Sequence, residues 1–188
     1  MQLKVSSITN LTDARFFSAI GAHYLGFCFD VLNVNNIHPK KANEIIAWLH
    51  EPVVVAEFGA HQTKEEIEYI ASQIDISEIQ IPISNNDIGN LHFDKFIEIE
   101  LADIEKTLPA SDYYVLKTEQ INTEDLALKE FIAHHKVFID TAFTKENIEE
   151  IVAKLQPYGI QITCKREEKT GLSSVDEYAE ITAAIGFS

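Results

Sequence analysis

Basic residues are scarce in this chain. Its 188 residues carry 15 Lys and Arg against 30 Asp and Glu, for a formal net charge of −15. Attraction to nucleic acid or to an anionic membrane surface needs basic patches. Both partners are therefore excluded, and partners with positive charge or none fit better. Long apolar runs are also missing. Nothing approaches the ~20 residues that a membrane-spanning helix needs, and the N-terminus has neither the basic region nor the apolar core of a signal peptide. Cysteine is limited to Cys28 and Cys164, too few and too far apart for a disulfide framework. Both fall in or beside expected strands, where cysteine acts as a small buried hydrophobe, so the reading is a reduced cytoplasmic protein. No glycine-rich phosphate loop follows the first apolar run. Neither a low-complexity stretch nor a strict repeat is visible.

What the chain does have is alternation. Leu3 and Val5 mark a strand. Asn10 and Asp13 cap a helix whose face is Leu11, Ala14, Phe17 and Ile20, and Gly21 stops it in the left-handed conformation that glycine adopts cheaply. An almost wholly apolar strand follows at 24–29. Strand, capped helix, glycine stop and buried strand make a βαβ unit. Pro39 opens a helix on Ala42, Ile45, Ile46 and Leu49. The run from Val53 to Ala56, apolar throughout, reads as a strand buried on both faces. Thr63 with Glu66 forms a capping box before a helix on Ile67, Ile70, Ala71 and Ile74.

Further strands are expected at 78–81, 96–99, 113–116, 137–139 and 160–163. Helices from about Thr123, from Thr144, and from a cap formed by Ser174 with Glu177 alternate with them, while 101–108 offers at most two helical turns. Eight strands and about eight helices, with no linker, give a single domain over 1–188 and an α/β fold: a compact (β/α)8 TIM barrel with some helices short. The chain is below the usual ~250 residues of such barrels, so its loops must be short. An open doubly wound sheet is the competing architecture, and the missing glycine-rich loop counts against it.

The N-terminal half, up to Gln80, resembles the phosphoribosylanthranilate isomerase family, small single-domain barrels of tryptophan biosynthesis. The residues that carry the resemblance are Lys4-Val5, Ile8-Thr9-Asn10-Leu11, Asp13-Ala14, Gly21-Ala22, Leu25-Gly26-Phe27 and Phe29. Ile37, Pro39, Ala42 and Ile79-Gln80 follow. The C-terminal half matches mainly in element order, with Pro157-Tyr158-Gly159-Ile160 and Gly171 in register. The resemblance implies an Amadori rearrangement that uses no metal and no cofactor. One group must act as general acid to open the ribose ring and another as base to take the proton from the sugar C2.

Against that expectation the site residues are substituted. Ser6 stands where the family has its cysteine base, and a serine hydroxyl is too weakly acidic to serve without an activator. Lys117 stands at the acid's place and Asn35 at that of an arginine. Residues 117–136 lack glycine, Asp140 follows strand seven, and Thr163, Cys164 and Lys165 end strand eight, where small residues would let backbone approach a phosphate. The reading is a degenerate homologue or binding module that has lost isomerase activity. It takes a small-molecule ligand at the C-terminal mouth, with Asn35, Gln80, Asp140, Thr163 and Lys165 as binding residues, as a monomer or homodimer. Two alternatives stand beside it: Schiff-base chemistry of the aldolase type at Lys117, or an isomerase with relocated groups. Asp30, Glu57, His61 and Asp140 could serve as metal ligands, but their spacing carries little signal and no metal is assigned.

Overall fold

The computed structural model describes residues 1–74, 76, 78–165 and 175–187. Eight parallel strands close into a barrel in sequence order, with the first pairing the last. They are β1 (Gln2–Ser6), β2 (Tyr24–Cys28), β3 (Val53–Glu57), β4 (Glu78–Pro82), β5 (Asp94–Ile99), β6 (Tyr113–Lys117), β7 (Val137–Asp140) and β8 (Gly159–Thr163). Outside lie α1 (Leu11–Ala19), α2 (Pro39–Ile46), α3 (Lys64–Ile74), α4 (Leu126–His134), α5 (Lys145–Leu155) and α6 (Val175–Ala183).

Six α-helices form among the described residues, where the sequence suggested about eight. The crossovers from β4 to β5 and from β5 to β6 hold only 3-10 turns, Ile88–Asn90 and Leu101–Asp103. Asn85, Asn86 and Asp87 in the first and Pro109 in the second interrupt any apolar face long enough to pack. Gly171, Arg166 and Ser174 lie outside the described residues.

Local chemistry sets the helix ends. Asn10 accepts from the Asp13 amide at 2.9 Å and donates to its carboxylate at 2.8 Å. Gly21 takes a φ of 84° after α1. Thr63 and Glu66 satisfy one another's backbone amides, as a capping box requires. α4 starts later than Thr123 because the Asp125 carboxylate accepts from both Ala127 and Leu128. His134 and His135 bond the Glu130 and Phe131 carbonyls at the end of α4, where such contacts satisfy carbonyls left over by the helix.

The alternation of each strand sorts side chains into two cores. Leu3, Val5, Leu25, Phe27 and their counterparts face the helices in one large cluster. Tyr24, Val55, Phe96, Val115 and Phe138 fill the barrel's interior as a second, with the rings of Tyr24 and Phe96 5.1 Å apart at 73°. β3 departs from its expected burial on both faces: Val53 is 40% exposed, because it sits at the strand's entry end, beyond the helix layer. Among the described residues no helix is long and apolar enough to cross a membrane.

Candidate functional site

The inward parity that places Tyr24 and Phe96 at the base of the barrel carries Lys4, Ser6, Glu57, Gln80, Glu98, Lys117, Asp140 and Thr163 toward the C-terminal mouth. That is the end where barrels of this class place function. The β1–β3 side is tightly bonded. Lys4 is fully buried, and its Nζ donates to Glu57 Oε1 at 2.8 Å. The pair passes across β2, where a side chain on Gly26 would overlap the Glu57 carboxylate. Glu57 Oε2 accepts the Ser6 hydroxyl at 2.9 Å and the Ser7 amide at 3.0 Å. Ser7 has a φ of 63°, in the left-handed region that side chains other than those of Asn and Asp rarely enter. The bond from its amide to Glu57 holds it there.

The β5–β7 side is looser. Lys117 Nζ lies 3.4 Å from Glu98 Oε1, with 55% of its side chain exposed. Partial burial favours the neutral amine, but Glu98 and Asp140 outweigh it and the Lys117 pKa is raised. That keeps the ammonium charged, the opposite of what attack on a carbonyl needs. Burial pushes the Asp140 carboxyl up in pKa, although Gln161 at 2.9 Å and Thr163 at 3.1 Å both donate to its Oδ2. Cys28 also faces the mouth. Burial drives its thiol up to about 12, so it stays protonated, the form that cannot act as a base.

A cavity of about 210 Å3 opens here. Ser6, Asn35, Gln80, Lys117 and Thr163 line it, together with Glu57. Asp140 lines the adjoining cavity of about 630 Å3, which shares Glu98 and Lys117 with the first. Lys165 goes elsewhere and is a correction to the expected set. Its ammonium pairs with Glu177 on α6 at 3.0 Å, and it lines neither cavity. β8 ends at Thr163, and two residues on the Lys165 amide and ammonium are both engaged by α6, through Tyr178 and Glu177. His61 lies 3.6 Å from Asp30 at the rim. No group of three or more His, Cys, Asp or Glu able to hold a metal occurs among the described residues.

Three amides share one pattern. Gln80 donates to Glu98 at 3.1 Å, Gln161 to Asp140 at 2.9 Å, and Asn35, from the loop after β2, to the Cys164 carbonyl at 3.2 Å. Each amide's nitrogen is committed, which fixes which end is oxygen. Gln80 Oε1, Gln161 Oε1 and Asn35 Oδ1 are all buried without a partner among the described residues.

The part that sequence reasoning missed is the Lys4–Glu57–Ser6 unit. Lys4 alternates with Leu3 and Val5, so strand parity alone already turns it inward with Ser6. What parity cannot supply is the partner, 53 residues away.

The closed parallel barrel with its polar mouth defines a (β/α)8 barrel protein. Known proteins narrow the likeness. No family model matches the chain, but the phosphoribosylanthranilate isomerase of Aquifex aeolicus is 24% identical over 196 residues, covering 91% of each chain. The crystal structure of the Thermus thermophilus phosphoribosylanthranilate isomerase superposes with a TM-score of 0.79 at 22% identity, covering 98% of both chains. A phosphoribosylanthranilate isomerase complexed with reduced 1-(o-carboxyphenylamino)-1-deoxyribulose 5-phosphate gives 0.80 at 20% identity over 99% of each. The enzyme from Pyrococcus furiosus gives 0.75 at 18% over 98% of each. The resemblance read from the N-terminal half thus extends along the whole barrel.

Proposed function

We propose that this chain is a divergent relative of the phosphoribosylanthranilate isomerases that no longer isomerises and binds a small molecule at the barrel mouth. The observation that carries the reading is the state of the two substituted positions. The Ser6 hydroxyl spends its proton on Glu57, whose other oxygen is held by Lys4. Lys117 is an ammonium paired with Glu98 and flanked by Asp140. A bonded hydroxyl and a charged ammonium are neither the base nor the carboxylic acid that the rearrangement requires. The proposal takes 1–188 as one domain, supported by β1 closing on β8. It places the protein in a reducing cytoplasm, supported by two buried, unpaired cysteines. Whether it works as a monomer or a homodimer is for sedimentation to decide; one related isomerase is described as dimeric.

One observation favours a second reading, an isomerase with relocated groups. Asp140 is a carboxylic acid with a raised pKa, as a general acid should have. Glu57, salt-bridged to Lys4 and on β3, which faces Asp140's β7 across the barrel, would be its base. The isomerase assay separates the two. Purified protein is given freshly made phosphoribosylanthranilate beside a Ser6→Cys/Lys117→Asp double variant and an Asp140→Asn variant. An inert wild type supports the loss of activity. Turnover abolished in Asp140→Asn establishes relocated chemistry.

A further inference from the structure

We infer that the mouth selects a small hydroxyl-rich molecule carrying a protonated amine, and that it rejects phosphate esters. This inference rests on the reading that a small molecule binds at the mouth, and it names that molecule's chemistry.

The first support is the balance of donors and acceptors. Gln80 is 5% exposed and lines the cavity, with its nitrogen bound to Glu98 and its oxygen bound to nothing among the described residues. Asn35, half-buried, lines the same cavity; its nitrogen is bound to the Cys164 carbonyl and its oxygen has no partner among the described residues. A buried carbonyl oxygen without a donor is costly, and a ligand that supplies a donor recovers that cost. Hydroxyl and ammonium groups are donors. The phosphate group of an ester, a dianion, has only acceptors to offer and satisfies neither amide; its hydroxyls can, so the bias against such esters comes from charge.

The second support is charge. Asp30, Glu57 and Glu98 line the smaller cavity, and Glu100, Glu119 and Asp140 the larger. Among the described lining residues, Lys117 alone carries positive charge, and Glu98 and Asp140 already flank it. Lys4, beneath, is engaged with Glu57. A cavity lined by one sign of charge concentrates the opposite sign and excludes its own, all the more so on a chain of net charge −15. The carboxylate oxygens of Glu98 and Asp30 that border the pocket would receive the amine, and the amide oxygens would receive hydroxyls.

The test uses a matched series on the intact protein: glucosamine, glucose and glucose phosphate, titrated by calorimetry at low salt. The expected order is glucosamine tightest and glucose phosphate weakest, with about tenfold or more between them, the size of one charge-assisted contact. Raising the salt should weaken glucosamine and leave glucose unchanged. Gln80→Met keeps the side chain's length and removes its carbonyl; it should weaken glucosamine about tenfold with an unchanged circular dichroism spectrum. If glucose phosphate binds tightest, and Lys117→Met abolishes that binding, a mouth that binds small molecules stands and the proposed selectivity is overturned. If no probe binds, both fall. If Gln80→Met binds glucosamine like the wild type, the contact lies elsewhere and the inference is overturned.

Discussion

Lys4 and Glu57 stand 2.8 Å apart with 0% and 7% of their side chains exposed; Lys117 and Glu98 stand 3.4 Å apart with 55% and 25% exposed. The two pairs have the same composition and occupy two sides of one mouth. In the first, every oxygen of the carboxylate is bonded, and the ammonium sits under the cavity floor with the Phe96 ring 5.6 Å away. In the second, both partners border open space and share their charge with Asp140 and Gln80. Residue type therefore says little here. Burial and the number of committed bonds make one pair part of the scaffold and leave the other available to a ligand.

The largest expected effect comes from breaking the buried pair. Glu57→Gln leaves a fully buried ammonium without its counter-charge, and should lower the unfolding free energy by about 3–5 kcal/mol in chemical denaturation. Gly26→Ala attacks the same pair sterically and should cost about 1–3 kcal/mol, because strand backbone and carboxylate must both give way. A loss as large as that of Glu57→Gln would mean that the methyl group had expelled the carboxylate altogether.

Asp140 sharpens the comparison through pH. Its pKa is raised above 3.8 in the folded chain. Between 3.8 and the raised value the folded state therefore holds more protons than the unfolded, and stability falls as pH rises through that window. Asn can accept the same bonds from Gln161 and Thr163 without ionising. The stability of Asp140→Asn relative to wild type should therefore increase from pH 4 toward neutrality, measured by thermal melts across pH. A difference that stays flat would place Asp140 in a wetter site than the geometry gives it.

The smallest effect belongs to the exposed pair. Lys117→Met should change stability by less than about 1 kcal/mol, since a half-exposed ion pair offsets little more than its own ordering. A loss comparable to that of Glu57→Gln would erase the distinction between the two pairs.

These pairs also show what a sequence reveals. Capping residues such as Asn10, Thr63 and Thr144 act within a turn or two, so both the signal and the structure are local. The apolar stripes of α2, α3 and α5 are periodic for the same reason. Strand order and barrel closure followed from the alternation of elements, a repeated signal with few topological solutions. The polar positions at the strand ends were legible too, because each is the last inward residue of its run. Lys165 was placed with them although it lies two residues beyond the end of β8, where strand parity no longer orients a side chain. The destination of Lys4 was not legible, since nothing near it in sequence announces a carboxylate on the second strand over. Nor could a sequence show that the amides of Asn35 and Gln80 turn their nitrogens away and leave oxygens unanswered.

The passage of Lys4 to Glu57 across Gly26 constrains how this arrangement can change. A glutamate at position 57 fits only after position 26 has no side chain, whereas a glycine at 26 tolerates many neighbours. The two substitutions therefore have a permitted order, glycine before glutamate. Once the carboxylate is in place, any side chain at position 26 has to displace it. Any change at this place would begin at Glu57 more readily than at the glycine.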